Sequence, residues 1–263
     1  MYDFTYQKPS SVADAVKLLR DDPEAKALAG GMTFIPVLKQ RLNRPSAVID
    51  LAATGLAGIT SAGNAITVGA MTTHNTVATN PDIKQKIPGL THMASHIGDR
   101  QVRNRGTMGG SLANNDPSAC YPSAVLALGA TIKTDRREIK ADDYFQGMFT
   151  TALEPDELIT QITFPIPEKS AYEKFPNPAS RYAIVGVFVA RGPAGVRVAV
   201  TGASQTGVFR HKEMEAALEK NWSPDTIASI KTSPDGLNSD IHASAEYRAH
   251  LIGVMAKRAV AKA

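Results

Sequence analysis

The chain has 263 residues, 43% of them hydrophobic and 21% charged, a composition that supports a sizeable core in one large domain or two. Its one cysteine, Cys120, excludes an internal disulfide and an iron–sulfur cluster held by this chain alone, and no apolar run reaches transmembrane length. The net charge of +4 is scattered apart from the run Arg100-Gln101-Val102-Arg103-Asn104-Arg105. The first residues, Met1-Tyr2-Asp3-Phe4-Thr5-Tyr6, lack the basic and apolar regions of a signal peptide, so the expected location is cytoplasmic.

In chain order, Ser11-Val12-Ala13-Asp14 reads as a capping box that opens a helix over Val12 to Leu19, with apolar spacing at Val12, Ala15, Val16, Leu18 and Leu19. Lys26 to Ala29 predicts a short buried strand running into a double-glycine loop, Leu28-Ala29-Gly30-Gly31-Met32-Thr33. Thr33 is placed to cap a helix reaching about Leu42, with Pro36 in its first turn and Lys39 and Arg41 near its end, where cations suit the helix dipole. Ala47 to Leu51 predicts a strand, so this segment reads as a small α/β unit.

A second unit begins after Gly55. Strands are predicted at Ile59-Thr60, Ala65 to Val68 and Ala130 to Ile132, helices over Lys84 to Ile97 and about Pro117 to Leu128, and a strong strand at Leu158 to Phe164. Between the helices lies a second double-glycine loop, Thr107-Met108-Gly109-Gly110-Ser111-Leu112-Ala113-Asn114. Pro165 and Pro167 punctuate the chain, and Glu168-Lys169-Ser170 reads as a linker. The remainder reads as a separate α+β domain, with strands at Ala183 to Val189 and Val196 to Thr201 and helices at Lys212 to Leu218, Pro224 to Ile230 and Ala243 to Ala261. The expected divisions are 1–55, 56–168 and 169–263.

Paired glycines let backbone N–H groups approach a phosphate, because no Cβ stands in the way. One such pair is as easily a plain turn. Two of them, about eighty residues apart, fit a diphosphate gripped from both sides and hence a dinucleotide cofactor. There is no Gly-x-Gly-x-x-Gly turn and no Gly-x-x-x-x-Gly-Lys-Ser/Thr loop, which disfavours a Rossmann site and phosphoryl transfer. Among His74, His92, His96, His211, His242 and His250, only His92 and His96 stand four apart, with no third ligand beside them, so they read as helix-surface residues and no metal site is expected. Ser111 has no nucleophile-elbow pattern around it. The basic run lacks interleaved aromatic residues to stack bases, and reads as a solvated face or as a site for a cofactor phosphate or an acidic partner.

The two loops, in this order and with these flanks, resemble the FAD-binding medium subunit of molybdenum hydroxylases, the carbon monoxide dehydrogenase flavoprotein and xanthine dehydrogenase FAD-subunit family. The resemblance covers essentially the whole chain, from Phe4-Thr5-Tyr6 and Pro9 to Val16, through Leu28 to Pro36 and Gly69 to Thr73, to Glu157-Leu158-Ile159 and Tyr172 to Phe175; its most specific stretch is Gln101 to Ala113. It implies a mixed α/β fold: a two-subdomain FAD-binding domain of the PCMH or vanillyl-alcohol-oxidase type, then an α+β domain of the carbon monoxide dehydrogenase flavoprotein type. FAD is expected to lie extended between the subdomains, with the flavin facing the C-terminal domain. By this resemblance Ala29, Gly30, Gly31, Met32 and Thr33 wrap the diphosphate through backbone amides, with Leu28 beside them, and Thr107, Gly109, Gly110, Ser111 and Asn114 hold it from the other side. Ile97 and Gly98 border the cofactor, Leu158 meets the adenine-bearing half through backbone groups, and Lys174 lies near the flavin, where a cation stabilises the anionic reduced form. Cys120 stands where some relatives place an aspartate against the cofactor. Either the contact is lost and Cys120 is a small buried hydrophobe, or backbone groups and Asn114 or Asn115 carry it.

The resemblance implies no catalytic residue in this chain. Substrate oxidation (of carbon monoxide, an aldehyde, a purine or an N-heterocycle) belongs to a molybdenum cofactor in a large partner, [2Fe–2S] centres sit in a small partner, and an external acceptor takes the electrons from FAD. A dimer of heterotrimers is the implied assembly, and a partner's signal offers a route of export. The sequence shows no base placed for substrate chemistry, which suits a relay. The alternatives are a stand-alone FAD-dependent alcohol oxidase, which usually carries a large substrate domain or a covalent flavin link, and a nucleic-acid or assembly module using Arg100 to Arg105.

Overall fold

The computed structural model describes all residues from Met1 to Ala263. The first unit consists of β1 (Thr5–Gln7), α1 (Val12–Asp21), β2 (Lys26–Leu28), α2 (Phe34–Lys39) and β3 (Ala47–Asp50), with a parallel sheet in the order β1-β3-β2. Helix α1 opens as the sequence indicates: Ser11 Oγ accepts the Asp14 N–H at 3.1 Å, and Ala15, Val16 and Leu19 pack against Ala47, Ile49 and Leu51. Two expectations fail here. Strand β2 is not buried, because Lys26 and Ala27 are exposed on a sheet edge that borders a cleft. Thr33 makes no side-chain cap, being itself helical (φ −102°, ψ −47°), and α2 stops at Lys39, short of Arg41 with its left-handed φ of 59°.

The second unit runs through β4 (Ile59–Ala62), β5 (Ala65–Gly69), α3 (His74–Thr79), α4 (Pro81–Lys86), α5 (Pro88–Ser95), α6 (Arg100–Arg105), α7 (Met108–Asn114), α8 (Tyr121–Ala127), β6 (Thr131–Thr134), β7 (Glu138–Lys140), α9 (Ala141–Tyr144), β8 (Phe145–Gly147), β9 (Thr150–Thr151) and β10 (Ile159–Pro165). Its antiparallel sheet has the order β4-β5-β10-β6-β7, and its inner face (Ile66, Val68, Ile132, Ile162 and Phe164) forms one core with Leu90, Met93, Leu112 and Val125 from the helices. The single helix expected over residues 84–97 is two. Pro88 disfavours helical backbone at Ile87, which sits at φ −136° and ψ 65°, so α4 ends and α5 restarts with the proline in its first turn. The basic run is helix α6, capped by Asp99, and the second double-glycine segment is not a loop, since Gly109 and Gly110 lie in the first turn of α7. Helix α8 starts at Tyr121 rather than near Pro117.

The third unit is an antiparallel sheet of β11 (Lys169–Pro176), β12 (Ala183–Gly192), β13 (Gly195–Thr201) and β14 (Phe209–Arg210), with α10 (Lys212–Lys220) and α11 (Ala245–Lys262). The residues expected to be a linker are drawn into β11, where Lys169 pairs with Arg191 and Ser170 with Ala190. Pro224–Ile227 is a short 3-10 turn, and α11 begins after its Ser244 cap. Strand β12 reads as an unbroken apolar run because both faces are covered. Val185, Val187 and Val189 pack with α11, while Phe188 and Ala190 join the core of the second unit.

Candidate cofactor-binding site

A cleft of about 860 Å³ lies where the three units meet. Of the residues singled out from the sequence, Ala29, Gly30, Gly31, Met32, Thr33, Ile97, Gly98, Thr107, Gly109, Gly110, Ser111, Asn114, Cys120, Leu158 and Lys174 all line it, and Leu28 does not. Leu28 stands behind the first loop, with its Cδ1 3.3 Å from where a Cβ on Gly31 would fall.

The first loop leaves its backbone amides free. None of the backbone N–H groups from Ala29 to Thr33 donates a hydrogen bond within the chain, although Gly30 and Gly31 are buried. Buried backbone donors are almost always paired, so an uninterrupted unpaired run lining a cleft calls for an acceptor-rich ligand. Gly31 has φ +76°, which favours glycine, and a Cβ on Gly30 would run into the Arg105 carbonyl. The first loop therefore lies flush against the Arg105–Gly106 backbone that leads into the second segment, which a side chain on Gly30 would prevent.

The second segment works differently from expectation. Its amides are already committed: Met108 donates to Thr72 O at 3.0 Å, Gly109 to Ala70 O at 2.8 Å, Gly110 to Thr107 Oγ1 at 3.1 Å and Ser111 to Thr107 O at 3.0 Å. The glycines serve close approach instead. A Cβ on Gly109 would stand 2.6 Å from Ala70 Cβ, and one on Gly110 would stand 2.8 Å from Thr107 Oγ1. What this segment offers the cleft is the Thr107 N–H and the side chains of Ser111 and Asn114, none of which is hydrogen-bonded within the chain.

From the third unit, Lys174 Nζ donates to His96 O at 2.6 Å and Arg181 O at 3.0 Å, and lies 3.6 Å from Cys120 Sγ. Three carboxylate-free contacts leave its charge uncompensated in the cleft. Cys120 is 6% exposed and packs in the main core, so it is a buried small residue and also a neighbour of that ammonium. Asn115 is not among the residues that line the cleft, and its side-chain N–H groups turn away to donate to Gly147 O and Thr150 O, both at 2.8 Å. Leu158 departs from expectation too: its N–H donates to the Asp135 carboxylate at 2.8 Å and its carbonyl accepts the Asp135 N–H at 3.0 Å, so little of its backbone is free.

Sequence reasoning missed His74, which is not a surface histidine but a buried part of the cleft wall, and the Ala179–Tyr182 turn, which reaches over the cleft from the third unit. For the turn, the signal was Lys174 itself, since a strand that delivers Lys174 delivers the following hairpin as well. His211 is likewise buried rather than exposed. No group of three histidine, cysteine, aspartate or glutamate residues is arranged to hold a metal ion. No helix is long and apolar enough to cross a membrane.

An unpaired amide run and a lysine with no ion-pair partner line one cleft, an arrangement suited to an anionic dinucleotide. Residues 2–167 match the FAD binding domain in molybdopterin dehydrogenase, and residues 170–263 match the CO dehydrogenase flavoprotein C-terminal domain. The chain belongs to the FAD-carrying medium subunits of the molybdenum hydroxylases, which are oxidoreductases, and FAD is its cofactor. It is 36% identical to the nicotine 6-hydroxylase medium subunit of Paenarthrobacter nicotinovorans, over 98% of this chain and 96% of that one. It is 34% identical to the carbon monoxide dehydrogenase medium chain of Afipia carboxidovorans, over 99% and 96%. Quinoline 2-oxidoreductase from Pseudomonas putida 86 superposes with a TM-score of 0.91 at 30% identity, covering 100% of this chain and 97% of that one.

Proposed function

We propose that this chain is the flavin relay of a three-part molybdenum hydroxylase, with a large molybdenum-cofactor partner and a small [2Fe–2S] partner. Bound FAD supplies the chemistry, since it takes electrons singly and releases them in pairs to an external acceptor. The protein's part is to bind and orient. The amides of Ala29 to Thr33 receive the diphosphate, with the Thr107 N–H and the Ser111 and Asn114 side chains on its other flank. Ile97, Gly98 and the side chain of Leu158 border the cofactor. Lys174, held by the carbonyls of His96 and Arg181, presents its charge to the flavin end, beside Cys120. The divisions 1–55, 56–168 and 169–263 each carry one main sheet, and the cleft between them is the cofactor's place. We place the complex, a dimer of heterotrimers, in the cytoplasm.

The observation that carries this reading is the unpaired amide run facing a cleft that also holds an unpaired cation. It is tested by purifying the tagged chain from its native host, recording the visible spectrum and identifying co-purifying proteins. A flavin spectrum overlaid with iron–sulfur absorbance, together with a large and a small partner, is expected. A yellow chain that purifies alone and bleaches with an alcohol would overturn the relay, and a colourless preparation would overturn the site.

A further inference from the structure

His74 is the first residue of α3. Its backbone is fixed from both sides, by the Thr73 cap of the helix and by its own N–H, which donates to Gly106 O at 2.9 Å. The imidazole is 5% exposed and stacks at a tilt on Tyr121, with ring centroids 5.2 Å apart. Nδ1 is buried with no hydrogen-bond partner, and Nε2 has none within the chain either. An apolar side chain would fill this space without that polar cost.

The surroundings give the ring a direction. A Cβ on Gly106 would stand 2.5 Å from Nε2, so glycine at 106 is what lets the ring lie there. Gly106 is also where the backbone of Gly30 comes to rest, and Gly30, Gly106 and His74 all line the cleft. Nε2 thus lies at the seam where the unpaired amides of the first loop meet the second segment. Burial, joined by the nearby Arg103 guanidinium, lowers the His74 pKa to about 4, so the ring is neutral and carries one proton at physiological pH. Nδ1 sees only protein. A proton there would be a buried unpaired donor, whereas a bare Nδ1 is only an under-used acceptor, so the proton belongs on Nε2.

We propose that His74 is a further cofactor-binding residue, its neutral imidazole donating a hydrogen bond from Nε2 to the diphosphate at the seam of the two glycine segments. This rests on the assignment of the cleft to FAD. The ring adds a directed donor where the first loop's amides converge, and it adds no charge there.

The test uses the assembled complex, stripped of FAD and titrated with FAD and separately with ADP, a diphosphate without a flavin. His74→Leu removes both nitrogens at similar bulk, with His74→Met as a second apolar variant should leucine prevent assembly; His74→Gln keeps a donor. The apolar variant is expected to weaken both FAD and ADP by about tenfold or more while the ligand-free melting temperature holds or rises, and His74→Gln to stay within about threefold of the parent. Parent-like affinity for both ligands in the apolar variant overturns the proposal, and so does equal weakening by the apolar and Gln variants, which would mark a packing role. A parent that binds no FAD would overturn the cleft assignment itself, and so is distinguishable from either result.

Discussion

At the level of single residues, the site is built from atoms that are absent as much as from those present. Gly30 lies flush against the Arg105–Gly106 backbone, and Gly31 adopts a left-handed conformation. Gly30→Ala would force the first loop off the second segment and disturb the amide run, so it should lower FAD occupancy at least tenfold, read from the flavin-to-protein absorbance ratio of the purified complex. Lys174 is the complementary case, where a charge rather than a space matters. Lys174→Ala leaves the amide run intact, so FAD should be retained. Losing an unpaired cation beside the reduced flavin should make the midpoint potential more negative, on the order of tens of millivolts, in a redox titration. An unchanged potential would place the lysine's charge outside the flavin's reach.

At the level of elements, the lip of the cleft depends on a cluster between β9 and β10. The Glu157 side chain is buried, which alone would raise its pKa, but hydrogen bonds from Arg137, the Glu154 N–H and the Thr134 hydroxyl overcome this and hold it down to about 2. Because the folded-state value lies below the ordinary 4.5, the cluster's contribution is fully present above about pH 4.5 and is lost as pH falls toward 2. Glu157→Gln should therefore lower the melting temperature clearly at pH 7, and the difference from the parent should shrink steadily by pH 3. The elements also show what was legible in the sequence. Helix α1 was, because Ser11 and Asp14 make a local cap and the apolar spacing is regular. The break at Ile87 was written in Pro88 but was outweighed by the apolar pattern on either side of it. The glycines of α7 read in sequence as a phosphate-approaching loop, whereas in the fold they lie in a helical turn against Ala70, where a Cβ on Gly109 would stand 2.6 Å from Ala70 Cβ. The same limit applies to the site. The resemblance, not spacing, named the individual cleft residues, and whether an amide is free or spent depends on strand and helix partners far away in sequence, as with Ala70 for Gly109 and Asp135 for Leu158.

At the level of the whole molecule, the third unit is not an appendage. Strand β12 faces α11 with its valines and the second unit's core with Phe188, which packs at 6.2 Å from Tyr172, and both aromatic side chains are fully buried. The same sheet carries Lys174 and the Ala179–Tyr182 turn into the cleft, so the shape of that part of the cleft depends on this packing. Two consequences follow from one interface. Cutting Phe188 to Ala removes a large side chain from a core it shares with Leu90, Met93 and Val125, at a cost of about 3–5 kcal/mol. Since the interface links the units, ligand-free chain should melt in a single transition, and Phe188→Ala should shift that transition as a whole rather than split off a C-terminal step. FAD bridging the units should raise the same transition in parent and variant alike. Differential scanning calorimetry distinguishes the cases: two resolved transitions in the ligand-free parent would mean that the units fold independently and that the cleft is assembled only when the cofactor is bound.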